Sequence, residues 1–150
     1  MRVMDTDSFL TVLCELAREG KRVCTVVSGG SMLPFLSAGR DYVYLEKPEG
    51  KLRKGDLVLF RRTNGEFVLH RIKRIKGDEF YLIGDRQYIV EGPVRGEQIL
   101  AVAVGAKRKG KELTTKSPLW VFYSKVWINT VFLRPFLFRL IGVLHKNKKA

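Results

Sequence analysis

The sequence predicts a mainly β protein: a coiled, antiparallel, barrel-like sheet with a short N-terminal helix and a hydrophobic, basic helical tail. Three observations carry this. Six β-branched or alternating runs succeed one another between residues 22 and 107, with turn residues between them. Two of these runs flank Asn64-Gly65, and Asn-Gly is the strongest short signal for a hairpin. Helix-like patterning is confined to the two ends of the chain.

The elements follow in order. In residues 7–19, Phe9, Val12, Leu13, Leu16 and Ala17 fall at helical spacing, with Asp7 or Ser8 to cap them and Gly20 to stop them. One helix of this size is too little for a helix-turn-helix DNA-binding domain. KRVCTVVS (21–28) is β-branched and ends at Gly29-Gly30. DYVYLEK (41–47) alternates and stops before Pro48 and Gly50. DLVLFRR (56–62) and EFVLHRIKRI (66–75) form the Asn-Gly hairpin, and Lys76-Gly77-Asp78 turns the chain into EFYLIGD (79–85). QILAVAVGAK (98–107) is apolar enough for a central strand. Short strands at this spacing fit a coiled or barrel-like sheet. The organisation is therefore a helix in residues 1–21, a β domain in 22–107 and a tail in 108–150.

Composition excludes several classes. Hydrophobic residues are 45% and charged residues 29%, a globular balance. The two cysteines, Cys14 and Cys24, cannot build a zinc site or a disulfide framework, and neither a metal nor a cofactor is expected. They read as free thiols in a reducing compartment. The net charge is +13, and residues 107–150 hold eleven Lys/Arg against the single acid Glu112. That segment alone is +10, so the rest of the chain is only +3. A basic tail rich in aromatics fits an anionic membrane surface at least as well as nucleic acid.

Within residues 117–149, one helix broken at Pro135, or two shorter ones, carry Trp120, Trp127, Arg134 and Arg139. Three readings stand for this tail: a helix packed on the sheet, a helix that binds a partner, or peripheral attachment to a membrane. No secretory h-region precedes the β domain, and no run reaches the roughly 18 apolar residues of a spanning helix. The expected location is the cytoplasm or the cytoplasmic face of a membrane.

The chemistry centres on VSGGSMLP (27–34). A hydrolytic serine needs a base, a group that orients the base, and donors for an oxyanion. Ser31 is the candidate nucleophile. Of two histidines, His145 lies in the basic tail beside Lys146, whereas His70 lies on a strand that places Val68, His70 and Ile72 on one face. His70 is thus the candidate base. Asp85, ending the next strand, is the candidate orienter; Asp56 is its rival, although Gly-Asp before a strand is also an ordinary turn. Gly29 and Gly30 let backbone come close, so the amides of Gly30 and Ser31 are the candidate oxyanion donors.

The ordered set SGGSMLP, AGRDYVYL, LRKGDLVLFRRTNGEFVLHRIKRI and IGD, over roughly residues 23–105, resembles the serine-peptidase clan of type I signal peptidases and LexA-type self-cleaving proteins. The resemblance implies a Ser-Met nucleophile at Ser31-Met32, a following Gly-Asp-x-Val strand at residues 55–58, and a base on the next strand. Bacterial members use lysine there; the archaeal and endoplasmic-reticulum type uses histidine followed by Arg and an aliphatic residue, as in His70-Arg71-Ile72, with a later Gly-Asp at Gly84-Asp85. Where signal peptidases usually keep a hydroxyl two residues before the nucleophile, this chain has Gly29.

The expected function is a serine endopeptidase that binds a peptide or protein as an extended strand beside the sheet. The resemblance implies small side chains near the cleaved bond, as in leader or signal peptides. Self-cleavage of the LexA type fits less well, because only one short helix precedes Ser31. The alternative is a catalytically inactive peptidase-like β module that binds membrane or other partners through its basic tail.

Overall fold

The computed structural model describes residues 6–147, with side chains as far as residue 142. The chain begins with α1 (Thr6–Arg18), which Gly20 closes at a φ of +91°. Seven strands follow: β1 (Val23–Val26), β2 (Tyr42–Glu46), β3 (Leu57–Arg61), β4 (Phe67–Lys76), β5 (Glu79–Ile83), β6 (Glu91–Arg95) and β7 (Ile99–Arg108). An eighth, β8 (Lys111–Thr114), pairs with the end of β7.

All pairings are antiparallel, in the order β1-β2-β7-β3-β4-β5-β6. The ten-residue β7 is the central member. One of its edges pairs with β2; the other pairs first with β3 and then with β8. The alternation of apolar residues fixes the faces. Val58, Phe60, Ile72, Phe80, Leu82, Val94 and Ile99 bury against one another in one core. Leu13 and Ala17 of α1 join Val43, Leu45, Leu57, Leu59, Ala101, Ala103 and Ala106 in the other.

Two strands arise where the sequence signals none. β6 contains Gly92-Pro93, and proline cannot donate to a ladder; β6 is the end strand of the sheet, where that missing donor costs nothing. β8 is reached from β7 through Lys109 and Gly110, both at positive φ (51° and 78°), the two-residue hairpin form whose twist matches its strands. The sheet therefore runs past residue 107 to Thr114.

The tail is built from short turns. After α2 (Pro118–Val121) come a π turn (Phe122–Val126), two 3-10 turns (Trp127–Asn129 and Val131–Leu133) and α3 (Arg134–Asn147). Pro135 does not break a helix. It sits in the first turn of α3, where its missing N–H has no partner to lose. Within residues 118–134, Trp120, Tyr123, Ile128 and Arg134 are buried, and Trp120 and Tyr123 pack against Phe35 of the β1–β2 loop, with ring centroids 5.4 and 4.7 Å apart. Among the described residues no helix is long and apolar enough to cross a membrane. The side chain of His145 lies outside the described residues.

Candidate active site

The loop between β1 and β2 carries Ser31. It is pinned at its base by Val27, whose N–H donates to Asp41 O (2.9 Å) and whose carbonyl accepts from Gly39 N (3.0 Å). Asp41 is fully buried and accepts from the backbone amides of Ser37 (2.8 Å) and Lys109 (3.0 Å) and from the Arg40 guanidinium. The Arg40 bonds and these amides hold its carboxyl far below the usual carboxylate range. Met32, Phe35 and Leu36 drop from the loop into the core, so the turn after Ser31 is anchored by apolar burial.

Ser31 itself is half-buried and rests on the segment after β5. Its carbonyl accepts from Arg86 N at 2.9 Å. A methyl group added to Gly84 would lie 2.5 Å from Ser31 O and 3.0 Å from Ser31 Cβ, so only glycine permits this approach. Ser31, Ser28 and Gly29 open onto a cleft of about 480 Å³ walled by Phe9 and Leu10 of α1, Val26 of β1 and Leu69 of β4. Among the described residues the Ser31 hydroxyl has no hydrogen-bond partner, and the amides of Gly30 and Ser31 donate to no protein acceptor.

His70 lies on β4 opposite Val58, on the face of Phe60 and Ile72. Arg71 pairs with Ile83, the last residue of β5, so His70 lies just past the end of that ladder, as does Gly84, the residue on which Ser31 sits. Ser31 and His70 thus flank the same stretch of backbone, without a hydrogen bond between them. His70 is only 2% exposed, and its Nδ1 has no partner among the described residues. Burial brings its pKa down to about 4, with Glu91 opposing and Arg62 reinforcing that shift. The ring is neutral at physiological pH, the form a general base requires.

Asp85 makes no hydrogen bond to His70. Its two carboxylate oxygens accept from Arg71 Nε (3.0 Å) and Nη2 (3.1 Å), and both side chains are fully buried. Strand alternation is the reason. Opposite Ile83, Arg71 projects from the face that Asp85 also shares, while His70 projects from the other. Burial pushes the Asp85 carboxyl upward, and Arg71 and Arg134 oppose it. The remaining Arg71 nitrogen, Nη1, donates to Gly55 O (2.9 Å) and Ser124 Oγ (3.0 Å). Asp56, the rival, is a turn residue: its Oδ2 accepts from Arg53 N at 2.8 Å.

The carboxylate on the His70 face is Glu91. It stands opposite Leu82 on β6, and Leu82 stands opposite Ile72. Arg62 grips it through Nε (2.9 Å) and Nη2 (2.7 Å), which lowers the Glu91 carboxyl below its ordinary value. Glu91 escapes a sequence reading because Gly92-Pro93 conceals the strand that carries it. Its only signal is the acid itself, six residues beyond Asp85.

The tail supports the site from behind. Trp127 Nε1 donates to Asp85 O (2.7 Å), and buried Arg134 donates to Gly84 O (3.0 Å), Gln87 O (2.7 Å) and Trp127 O (2.8 Å). A serine on a glycine-rich loop, backed by a buried Arg–Asp clamp on the strand pair that carries a buried histidine, is the arrangement to be compared with known families. The model of the Peptidase S24-like family matches residues 3–103. The chain belongs to the Peptidase S24-like family. The match takes in α1, the serine loop and the sheet through the first half of β7, so every candidate catalytic residue of this Peptidase S24-like chain lies inside it. Neither the curated proteins nor the solved structures gave a match.

Proposed function

We infer that this Peptidase S24-like protein is a serine endopeptidase with Ser31 as nucleophile and His70 as general base. The observation that carries the reading is the seat of Ser31 on Gly84, which lies just past the same end of the β4–β5 ladder as His70. Ser31 Oγ attacks the substrate carbonyl as its proton passes to His70. The tetrahedral oxyanion takes the unpaired amides of Gly30 and Ser31. His70 then protonates the departing amine, and water hydrolyses the acyl-enzyme. Glu91 favours the imidazolium that forms midway, the task first expected of Asp85.

β1 is the edge strand nearest the cleft and offers unpaired backbone to an extended substrate. Val26, Val43, Leu45 and Leu69 line the cleft with aliphatic surface, which suits small apolar side chains beside the cleaved bond. Leader or signal peptides carry such residues and are the proposed substrates. Digestion of a peptide library by the wild type, Ser31→Ala and His70→Ala tests this: each substitution is expected to abolish cleavage while the far-UV spectrum persists. Full activity in either variant would refute the assignment.

A second reading is favoured by one observation, the absence of a hydrogen bond between Ser31 and His70 together with the burial of His70. It makes the protein an inactive peptidase-like module. Covalent labelling of Ser31 by a fluorophosphonate probe separates the two, since an inactive module leaves the serine unlabelled.

A further inference from the structure

The half of the tail that does not pack leaves a large apolar surface uncovered. Phe132 is 78% exposed, Phe136 68%, Leu140 50% and Ile141 56%. Phe136 and Leu140 lie four residues apart on α3 and Ile141 follows them, while Phe132 stands in the 3-10 turn just before that helix. The inner side is occupied: Phe138 stacks near Trp127 with centroids 6.4 Å apart, and Arg134 is buried. The loop before β6 also exposes apolar residues at its tip, where Ile89 is 75% exposed and Tyr88 55%. Arg134 joins the two, because its bonds to Gly84 O and Gln87 O fasten the root of that loop to the first turn of α3.

Charge around this surface is mainly positive, and the acid beside the loop tip, Glu91, is paired with Arg62. Lys54, Lys73 and Arg74 line a depression that Val90 shares. Lys54 donates to Asn129 Oδ1 and Lys73 to Ile128 O, so both stand against the 3-10 turns that lead into α3. Arg86 lies in the same loop as Ile89, and Arg139 is exposed among the apolar residues of α3. Residues 118–150 contain no Asp or Glu.

We propose that the stripe Phe132–Phe136–Leu140–Ile141 and the loop tip Tyr88–Ile89 together form one docking surface for an anionic lipid bilayer, on which the protein lies without crossing. Protruding aromatic and aliphatic residues ringed by cations match an interface whose headgroups are negative and whose interior accepts side chains without a complementary groove. A second copy of this chain is disfavoured, since each carries +13 and would bring another basic tail against the first. The fourteen residues of α3 reach about 21 Å, short of the roughly 30 Å of hydrocarbon that a crossing needs. The surface is separate from the serine cleft, so docking and peptide cleavage are separable properties.

The test is co-sedimentation of the full chain with phosphatidylcholine vesicles, pure or mixed with phosphatidylserine, beside the triple variant Ile89→Ser/Phe136→Ser/Leu140→Ser. All three positions are exposed, so its thermal unfolding and its cleavage of soluble peptides are expected to match the wild type. The wild type is expected to bind the mixed vesicles, less strongly as salt rises. The triple variant is expected to bind them about tenfold more weakly or worse. Wild-type protein that stays in the supernatant with mixed vesicles overturns the proposal, as does a triple variant that sediments equally well. A wild type that is dimeric in analytical ultracentrifugation, with a monomeric triple variant and no vesicle binding by either, assigns the surface to a second copy and likewise overturns it.

Discussion

Ser31 and Gly84 touch through their backbones: the Cβ that Gly84 lacks would stand 2.5 Å from the Ser31 carbonyl oxygen. The obstacle is main chain, held in turn by Arg86 N, so it cannot swing aside. Gly84→Ala is therefore expected to displace the serine loop and to cost about 1–3 kcal/mol of stability. Urea unfolding measures the cost, and cleavage assays measure the displacement. An alanine variant with wild-type stability and rate would show that the loop is not seated as described.

The Arg71–Asp85 pair gives a prediction of a different kind. With both groups buried, Asp85→Asn leaves the Arg71 guanidinium without a countercharge, at a cost of about 3–5 kcal/mol. If Asp85 acted on His70 instead, the substitution would mainly lower the rate and shift its pH profile. Chemical denaturation beside a pH–rate curve distinguishes the two, and the expected result is lost stability with the acid limb unmoved.

As the proposed base, His70 is expected to set that acid limb. Its folded value of about 4 lies below the ordinary value near 6.5, so the neutral, basic form persists well into acid. The rise of kcat/KM with pH is expected near pH 4 rather than near 6.5. Stability follows the same linkage. Between those values the unfolded chain binds a proton at this site and the folded chain does not, so stability is fully present above about 6.5 and is lost as pH falls toward 4. The amount is on the order of 3 kcal/mol. His70→Gln should remove this component, which thermal melts across the interval would show.

Glu91 stabilises the charged form of His70, so Glu91→Gln is expected to lower the His70 value further and to carry the acid limb of the rate profile to lower pH. The plateau rate should fall as well, because the imidazolium loses a countercharge. A profile that keeps its midpoint while the rate falls would assign Glu91 only to its ion pair with Arg62.

Much of the sheet was legible because alternation is visible without coordinates. Val68, His70 and Ile72 share a face as the spacing requires, and the Asn64-Gly65 hairpin joins β3 to β4. The same alternation, taken one strand further, separates Asp85 from His70: a residue facing with Ile83 belongs with Arg71. The register that decides this is a long-range property, and Gly-Asp by itself reads alike as a turn, a clamp or an orienter. Pro93 hid β6 because a proline in a central strand would be prohibitive, and nothing local reveals that β6 ends the sheet. Pro135 misled in the opposite direction, since a first-turn proline and a helix-breaking one look the same until the helix start is known.

The packed part of the tail alters what truncation means. Removing everything after residue 116 strips Trp120, Tyr123 and Ile128 from the core and Arg134 from the Gly84 carbonyl, the residue on which Ser31 sits. The expected product is an insoluble or molten chain, whereas a deletion beginning at residue 136 should fold with a cooperative melt. Calorimetry of the two deletions tests this, and a well-folded product ending at 116 would contradict the packing.

Arg134 follows every strand of the sheet in the chain, yet its guanidinium braces the carbonyl of Gly84, the floor beneath Ser31. While the protein is being synthesised, the strands and the serine loop therefore emerge before the brace that sets their spacing. The seat of Ser31 is thus completed by a segment translated after the sheet.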